Sequence, residues 1–388
     1  MRRLSLLLVA VAIAAAVAGG TAPAKPGHTL YGLVGTNART WLSGLDPDTL
    51  EPLGPRVSLG TLGSFAYDSH GWLAYADGRR VRIVDVQRMR PFKSIPLWTG
   101  MPVAVGWLQW DTIVAVTGMS VLEVRAIDWG TDKVVRTARV NGTVVAQARG
   151  DNELVLLLAP AGEIGPTRLL VVDAVGKARV ISVLRISAGQ HWDSATDPPT
   201  GETRRPGLAL DAEHDVAYVV GDGLVAEVPL AGAASYHALR GSFVKVIAGR
   251  WASAAWLGDG TLAVAGSVST DGRRMDPTGL ELVDTRTWTS RMVRNDASWV
   301  EPKDGLALVT GTSWIDGQDL RGIGVLGIDS SGKERFHVLA GEWASVVGFS
   351  ATRAYLSRDG RRGAAVDLAS GRVVAQFDRD VPFLVTLR

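Results

Sequence analysis

The sequence predicts an all-β fold: a single β-propeller of eight four-stranded blades. Three observations predict it. Apolar runs of five to eight residues, rich in Val, Leu, Ile and Trp, stop repeatedly at Gly, Asp or Pro, and none continues with a helical period. An Asp closes such a run at Asp46, Asp85, Asp128, Asp173, Asp284, Asp329 and Asp367, and Pro229 takes that place in the long interval after Asp173. These marks lie 38 to 56 residues apart, which is the length of a propeller blade. Finally, the first repeat is one strand short, and the end of the chain supplies a spare one.

Taken in order, the chain begins with Arg2 and Arg3, an apolar stretch from Leu4 to Ala18, and small residues that offer cleavage after Ala18 or Ala24. Residues 1–24 are therefore expected to be a secretory signal, with the propeller spanning 28–388. Retained, the same stretch would tether the chain to a membrane, although it is short for a span. No Cys is present, so an exported chain would hold itself by packing alone, without disulfides, thiolate chemistry or Cys-ligated metal. The 388 residues carry 41 Lys+Arg against 39 Asp+Glu, and loss of the two N-terminal arginines makes the balance neutral. No overall field is left to gather phosphates, so nucleic acid is not an expected partner.

The first repeat, His28 to Leu59, holds three strands at Thr29–Gly35, Thr40–Asp46 and Leu53–Leu59. The missing innermost strand is predicted at Val381–Leu387, because a ring of sheets must close its seam. The second repeat divides into Ser64–Asp68, Gly71–Asp77, Arg80–Val86 and Phe92–Leu97. The last shows the grammar most clearly, with three apolar runs joined at Asp359-Gly360 and Ser370-Gly371, an antiparallel meander. Merging two weak repeats would give seven blades instead.

Several Asp marks open a turn that ends in Gly-Lys or Gly-Arg: DAVGK from Asp173, DSSGK from Asp329 and DLASGR from Asp367. The carboxylate can accept backbone N–H groups of the turn, and Gly supplies the positive φ, so these aspartates are structural corners between third and fourth strands. On these turns the chain resembles secreted bacterial propellers of the YVTN and PQQ-like repeat type, with their strand-D-x-x-T/S-G-K-strand signature. The resemblance covers roughly Thr29 to Arg388 and implies the fold more than any activity. The quinoproteins of that wider group carry a regular Trp after the Gly-Lys turn, often with adjacent cysteines near the cofactor. Neither occurs here, so no quinone and no other cofactor is expected.

Two pattern matches carry no chemistry. Gly322, Gly324 and Gly327 spell G-x-G-x-x-G, and Gly327 to Glu334 nearly spells a P-loop, but neither opens a helix and Glu334 stands where Ser or Thr would hold magnesium. The six His are scattered, and acidic pairs such as Asp271/Asp276 and Asp316/Asp319 lack the spacing of a calcium loop, so no metal site and no catalytic set are assigned.

Binding is expected on one face. Trp98, Trp251, Trp299 and Trp343 sit at or just before predicted innermost strands, where their rings would crowd the axial mouth or wedge between blades. On the same face lie the long connections Ser187–Gly207, Ala159–Thr167, Ser267–Gly279 and Thr312–Gly322, assigned to blades four through seven. They bring His191, Trp192, Asp193, Arg204 and Arg205, then Arg273, Arg274, Trp314 and Arg321. Trp and Arg anchor interfaces, and sugars stack on indoles, so a protein or glycan ligand of a non-enzymatic module is the expectation. The competing class is a polysaccharide hydrolase or lyase, which would need carboxylates or a His/Tyr/Arg set converging at the mouth.

Overall fold

A computed structural model describes residues 30–385 except 37–38, 62, 68–70, 98–99, 110, 194–199, 240–250, 270–273, 316–320, 359–361 and 380. The signal segment, Trp98, Arg273, Asp271, Asp316, Asp319 and the Asp359-Gly360 turn thus lie outside the described residues. These residues form strands and no helix, arranged as an eight-bladed β-propeller. No described helix is long and apolar enough to cross a membrane.

Blade 2 shows the plan: Ser64–Tyr67, Trp72–Ala76, Arg80–Asp85 and Arg90–Pro96 follow one another as antiparallel neighbours from the axis outward. Blade 3 repeats it from Pro102 to Asn141, blade 4 from Thr143, blade 5 from Gly207 to His237, and blade 8 from Ala344 to Phe377. Blade 1 is closed as the sequence predicts. Phe383–Val385 pairs with Leu30–Thr36, with Phe383 opposite Leu33 and Val385 opposite Tyr31.

Alternation explains why the second strands look uniformly apolar rather than half polar. In Glu153–Ala159 of blade 4, Leu154, Leu156 and Leu158 pack toward blade 3, whereas Val155 and Leu157 pack toward blade 5. Each blade is therefore a layer between two cores, and the described residues fall into eight apolar clusters, one per seam. Many of the tryptophans fill these seams. Trp72, Trp107 and Trp129 gather with Phe92 between blades 2 and 3, with ring centroids 4.8 to 6.0 Å apart. Trp256 stacks on Tyr218 at 5.2 Å between blades 5 and 6.

The Asp corners form as expected. Asp46 Oδ1 accepts the N–H groups of Asp48 and Thr49, Asp128 that of Thr131, Asp173 those of Val175 and Lys177, and Asp367 that of Ser370. The near-P-loop is one of these corners: Lys333 N–H donates to Asp329 Oδ1 at 3.0 Å between two antiparallel strands. Backbone donors hold Asp46, Asp128 and Asp284 below the ordinary carboxylate range, and at Asp367 the Ser370 hydroxyl and then its amide do the same. A depressed folded pKa stabilises the fold above the unfolded value of about 3.9, and that stability is lost as pH falls through the folded pKa. Glu153 and Glu301, raised by burial, act in the opposite sense but are fewer. Thermal melts should therefore show a steep fall below about pH 4, and replacing Asp128 and Asp367 by Asn should flatten that limb. An unchanged acid limb would remove the corners from the account.

Two expectations are corrected. Ser187–Gly207 is not an open connection: the outer strand of blade 4 runs on from Ala178 to Asp193 and returns as Thr200–Arg204. Nor do the insertions occupy every blade from four to seven. In blade 5 the second and third strands are joined by Asp222 and Gly223 alone. The excursions of blades 6 and 7 are strand extensions, Thr261–Ser269 with Arg274–Asp284 and Leu306–Ile315 with Arg321–Asp329. Arg274 pairs with Ile315 and Met275 with Trp314, which fuses the two blades into one sheet at that end.

Candidate binding site

All innermost strands run in the same sense, so their first residues ring one mouth of the axial channel. Links between blades and connections between second and third strands emerge on that same side. The hairpin of blade 4 and the fused extensions of blades 6 and 7 consequently rise from the face that carries this mouth.

Inside it, a cavity of about 570 Å³ is lined by the innermost strands of blades 4 to 7, from Val145 to Arg149, Gly207 to Leu210, Trp251 to Trp256 and Trp299 to Pro302. Trp251 and Trp299 are the first residues of their strands and stand at its entrance. Trp299 is 48% exposed, an unusual state for an indole that a seam could have buried. Its Nε1–H donates to Glu301 Oε1 at 2.7 Å, one pleat further in. Burial pushes the Glu301 carboxyl above the ordinary carboxylate range, and the indole hydrogen bond offsets part of that rise. At the far end Arg149 Nη2 donates to the Tyr67 carbonyl at 2.7 Å, linking the inner strands of blades 4 and 2.

A second cavity of about 780 Å³ lies beside the first, beneath the hairpin of blade 4. Gln190, His191, Thr203, Arg204 and Arg205 line it together with Trp251. Arg205 and Trp251 belong to both cavities and are tied to each other. The guanidinium sits 5.4 Å from the indole centroid, and the Arg205 carbonyl accepts the Ala252 N–H at 2.8 Å.

The structure thus brings His191, Arg204 and Trp251 to one cavity, and Trp251 with Trp299 to the other. Trp343 is half-buried just before the inner strand of blade 8 and lines neither cavity. Trp192, Asp193, Arg274, Trp314 and Arg321 are placed as strand residues of the two raised elements, their side chains lying outside the described set. Arg204 is neutralised by Glu202 at 2.9 Å and Asp222 at 3.5 Å. Sequence reasoning passed over Glu301, Gln147 and Arg149. The signal for Glu301 was its place two residues after Trp299 on a strand, which puts both on one side.

Among the described residues lining the first cavity, Glu301 supplies the single carboxyl group. No group of three His, Cys, Asp or Glu suited to a metal ion occurs among the described residues. This arrangement offers stacking surfaces, a guanidinium and hydrogen-bonding groups around a concave space, which are the means of a binding site.

No protein-family model matches the chain, and no curated protein matches it in sequence. Among solved structures it is similar to the dihydro-heme d1 dehydrogenase NirN in complex with DHE, at 14% identity over 93% of this chain and 75% of that one, TM-score 0.59. It is similar to apo AztD from Citrobacter koseri, at 15% identity over 92% and 97%, TM-score 0.54. The computationally designed Ika8 protein aligns at 12% identity over 83% and 88%, TM-score 0.51. At such identities the likeness is one of fold. The propeller fold supports a binding or scaffold module in general, and the resemblance to YVTN and PQQ-like repeats rests on the repeat turns alone.

Proposed function

We propose that this chain is an exported, non-enzymatic binding module that takes a glycan at the axial mouth between blades 4 and 7. The observation that carries the reading is the pair Trp251 and Trp299, placed at the entrance of a concave space rather than in a seam. The indoles that fill seams elsewhere in the ring show that packing had other positions for Trp. An indole left half in water beside hydrogen-bonding groups gives a sugar both its apolar C–H face and partners for its hydroxyls. The single described carboxyl in the first cavity favours binding over hydrolysis by a pair of acids. The basic, apolar N-terminus motivates the exported assignment.

The test is a glycan array beside a pull-down from envelope material, using the wild type and three variant sets. Trp251→Ala with Trp299→Ala should weaken the glycan at least about tenfold, near 1.4 kcal/mol. Trp192→Ala with Trp314→Ala should weaken it less, and Arg273→Glu with Arg321→Glu should matter only if the partner is a protein docking on the raised elements. Retention of every ligand by the Trp251/Trp299 variant would remove the mouth as the site.

A further inference from the structure

We infer that the glycan taken at this mouth is acidic, a chain with carboxylate-bearing sugars, and that one carboxylate seats on Arg205. This rests on reading the mouth as a glycan site and adds the class of sugar. The Arg205 backbone is bonded to the inner strand of blade 6, and its guanidinium lies against Trp251. The indole holds the guanidinium by a cation–π contact while the residue stays exposed, so its N–H groups can donate to a carboxylate, which a guanidinium can grip at two points.

Among the described residues, Arg205 is also not neutralised. Its neighbour Arg204 is paired with Glu202 and Asp222, whereas no carboxylate lies within ion-pair distance of Arg205 among the described residues. The residue is exposed and common to both cavities, so an extended chain crossing from one to the other passes over it. Of the described groups lining the first cavity, Arg205 is a guanidinium without a described carboxylate partner and Glu301 is the one carboxyl. Glu301 is engaged by Trp299, and burial disfavours its charge. A cavity with this balance attracts an anion. The sugar over Trp299 would meet Glu301 through a hydroxyl, which places the carboxylate on the Arg205 side.

Titration calorimetry with a short oligogalacturonate and with its methyl ester tests the inference, because the two share rings and differ in charge. Arg205→Gln and Arg205→Lys are run beside Trp299→Ala, each checked for an unchanged melting temperature. The acid should bind at least about tenfold tighter than the ester, and its affinity should fall as salt rises. In Arg205→Gln the preference should shrink to within about twofold while ester binding stays, and Arg205→Lys should recover only part of it. Equal binding of acid and ester, binding of neither, or a preference that survives Arg205→Gln overturns the acidic class. If a neutral glycan then binds and needs Trp251 and Trp299, the mouth stands and only this inference falls. If nothing bound depends on those indoles, both fall.

Discussion

Deleting residues 380–388 should lower the melting temperature by about 10 °C or more, or drive the chain into aggregates. The deletion removes Phe383–Val385, the inner strand of blade 1, whose other three strands run from Leu30 to Gly60. Val381 and Leu384 are buried at 7% and 4% exposure among Leu30, Leu45, Tyr355 and Phe377. Their loss forfeits roughly 1.5–3 kcal/mol each, and the ladder to Leu30–Thr36 adds about 1 kcal/mol per hydrogen bond. The deletion also bares the edge of that strand, an invitation to pair between chains. Contacts that remain across the seam limit the damage without closing it. Arg353 donates to the Pro47 carbonyl at 3.1 Å and to Asp48 at 2.6 Å, Tyr355 to the Pro47 carbonyl at 3.3 Å, and Arg379 to the Thr49 carbonyl at 3.2 Å. Calorimetric melting of the truncated chain decides the matter, and an unaltered transition would mean the ring closes elsewhere. Leu384→Ala, which leaves the strand in place, should cost about 2–5 kcal/mol.

Gly371→Val should be nearly as damaging although it changes a surface turn. Gly371 has φ of +64°, in the region where a β-branched residue is strained by about 1–3 kcal/mol. A Cβ there would also overlap Phe336 on the outer strand of blade 7, so the corner of blade 8 is pressed onto its neighbour. Displacing that contact adds about 1–3 kcal/mol, and chemical denaturation should register a total of about 3 kcal/mol or more. Gly162 also has positive φ, +78°, but has nothing within 4 Å of its Cβ position, so Gly162→Val should cost the strain alone. Equal losses at the two sites would discount the seam contact.

The fold was legible because the repeat writes the same local physics many times. Asp at the end of a third strand, Gly in the turn and apolar alternation agree with one another in most blades, so an irregular blade such as the fifth, with Pro229 in place of Asp, could be placed by its neighbours. Closure was legible for a related reason: three strands at the front and an orphan apolar strand at the back have one solution in a ring. The raised elements were not. Ser187–Gly207 reads as polar and Gly/Pro-rich, and its hairpin is held by pairing of Gly189 with Arg204 through Asp193 with Thr200, a register the composition does not announce. The mouth was half legible. Strand order puts Trp251 and Trp299 at the starts of inner strands, but whether an indole faces the channel or a seam depends on the blade it abuts. Arg205 and Arg204 look alike in sequence, and only the positions of Glu202, Asp222 and Trp251 tell them apart.

Hydrogen–deuterium exchange of the free protein and of its complex with the captured glycan tests the central claim most directly. The account predicts slowed exchange at the mouth ends of four inner strands: residues 143–146, 205–208, 251–253 and 299–301. The hairpin strands 189–193 and 200–204 should follow more weakly, and the Asp corners at the opposite end should not change. Protection confined to the outer strands or to those corners, with the inner strands of blades 4 to 7 unaltered, would contradict it.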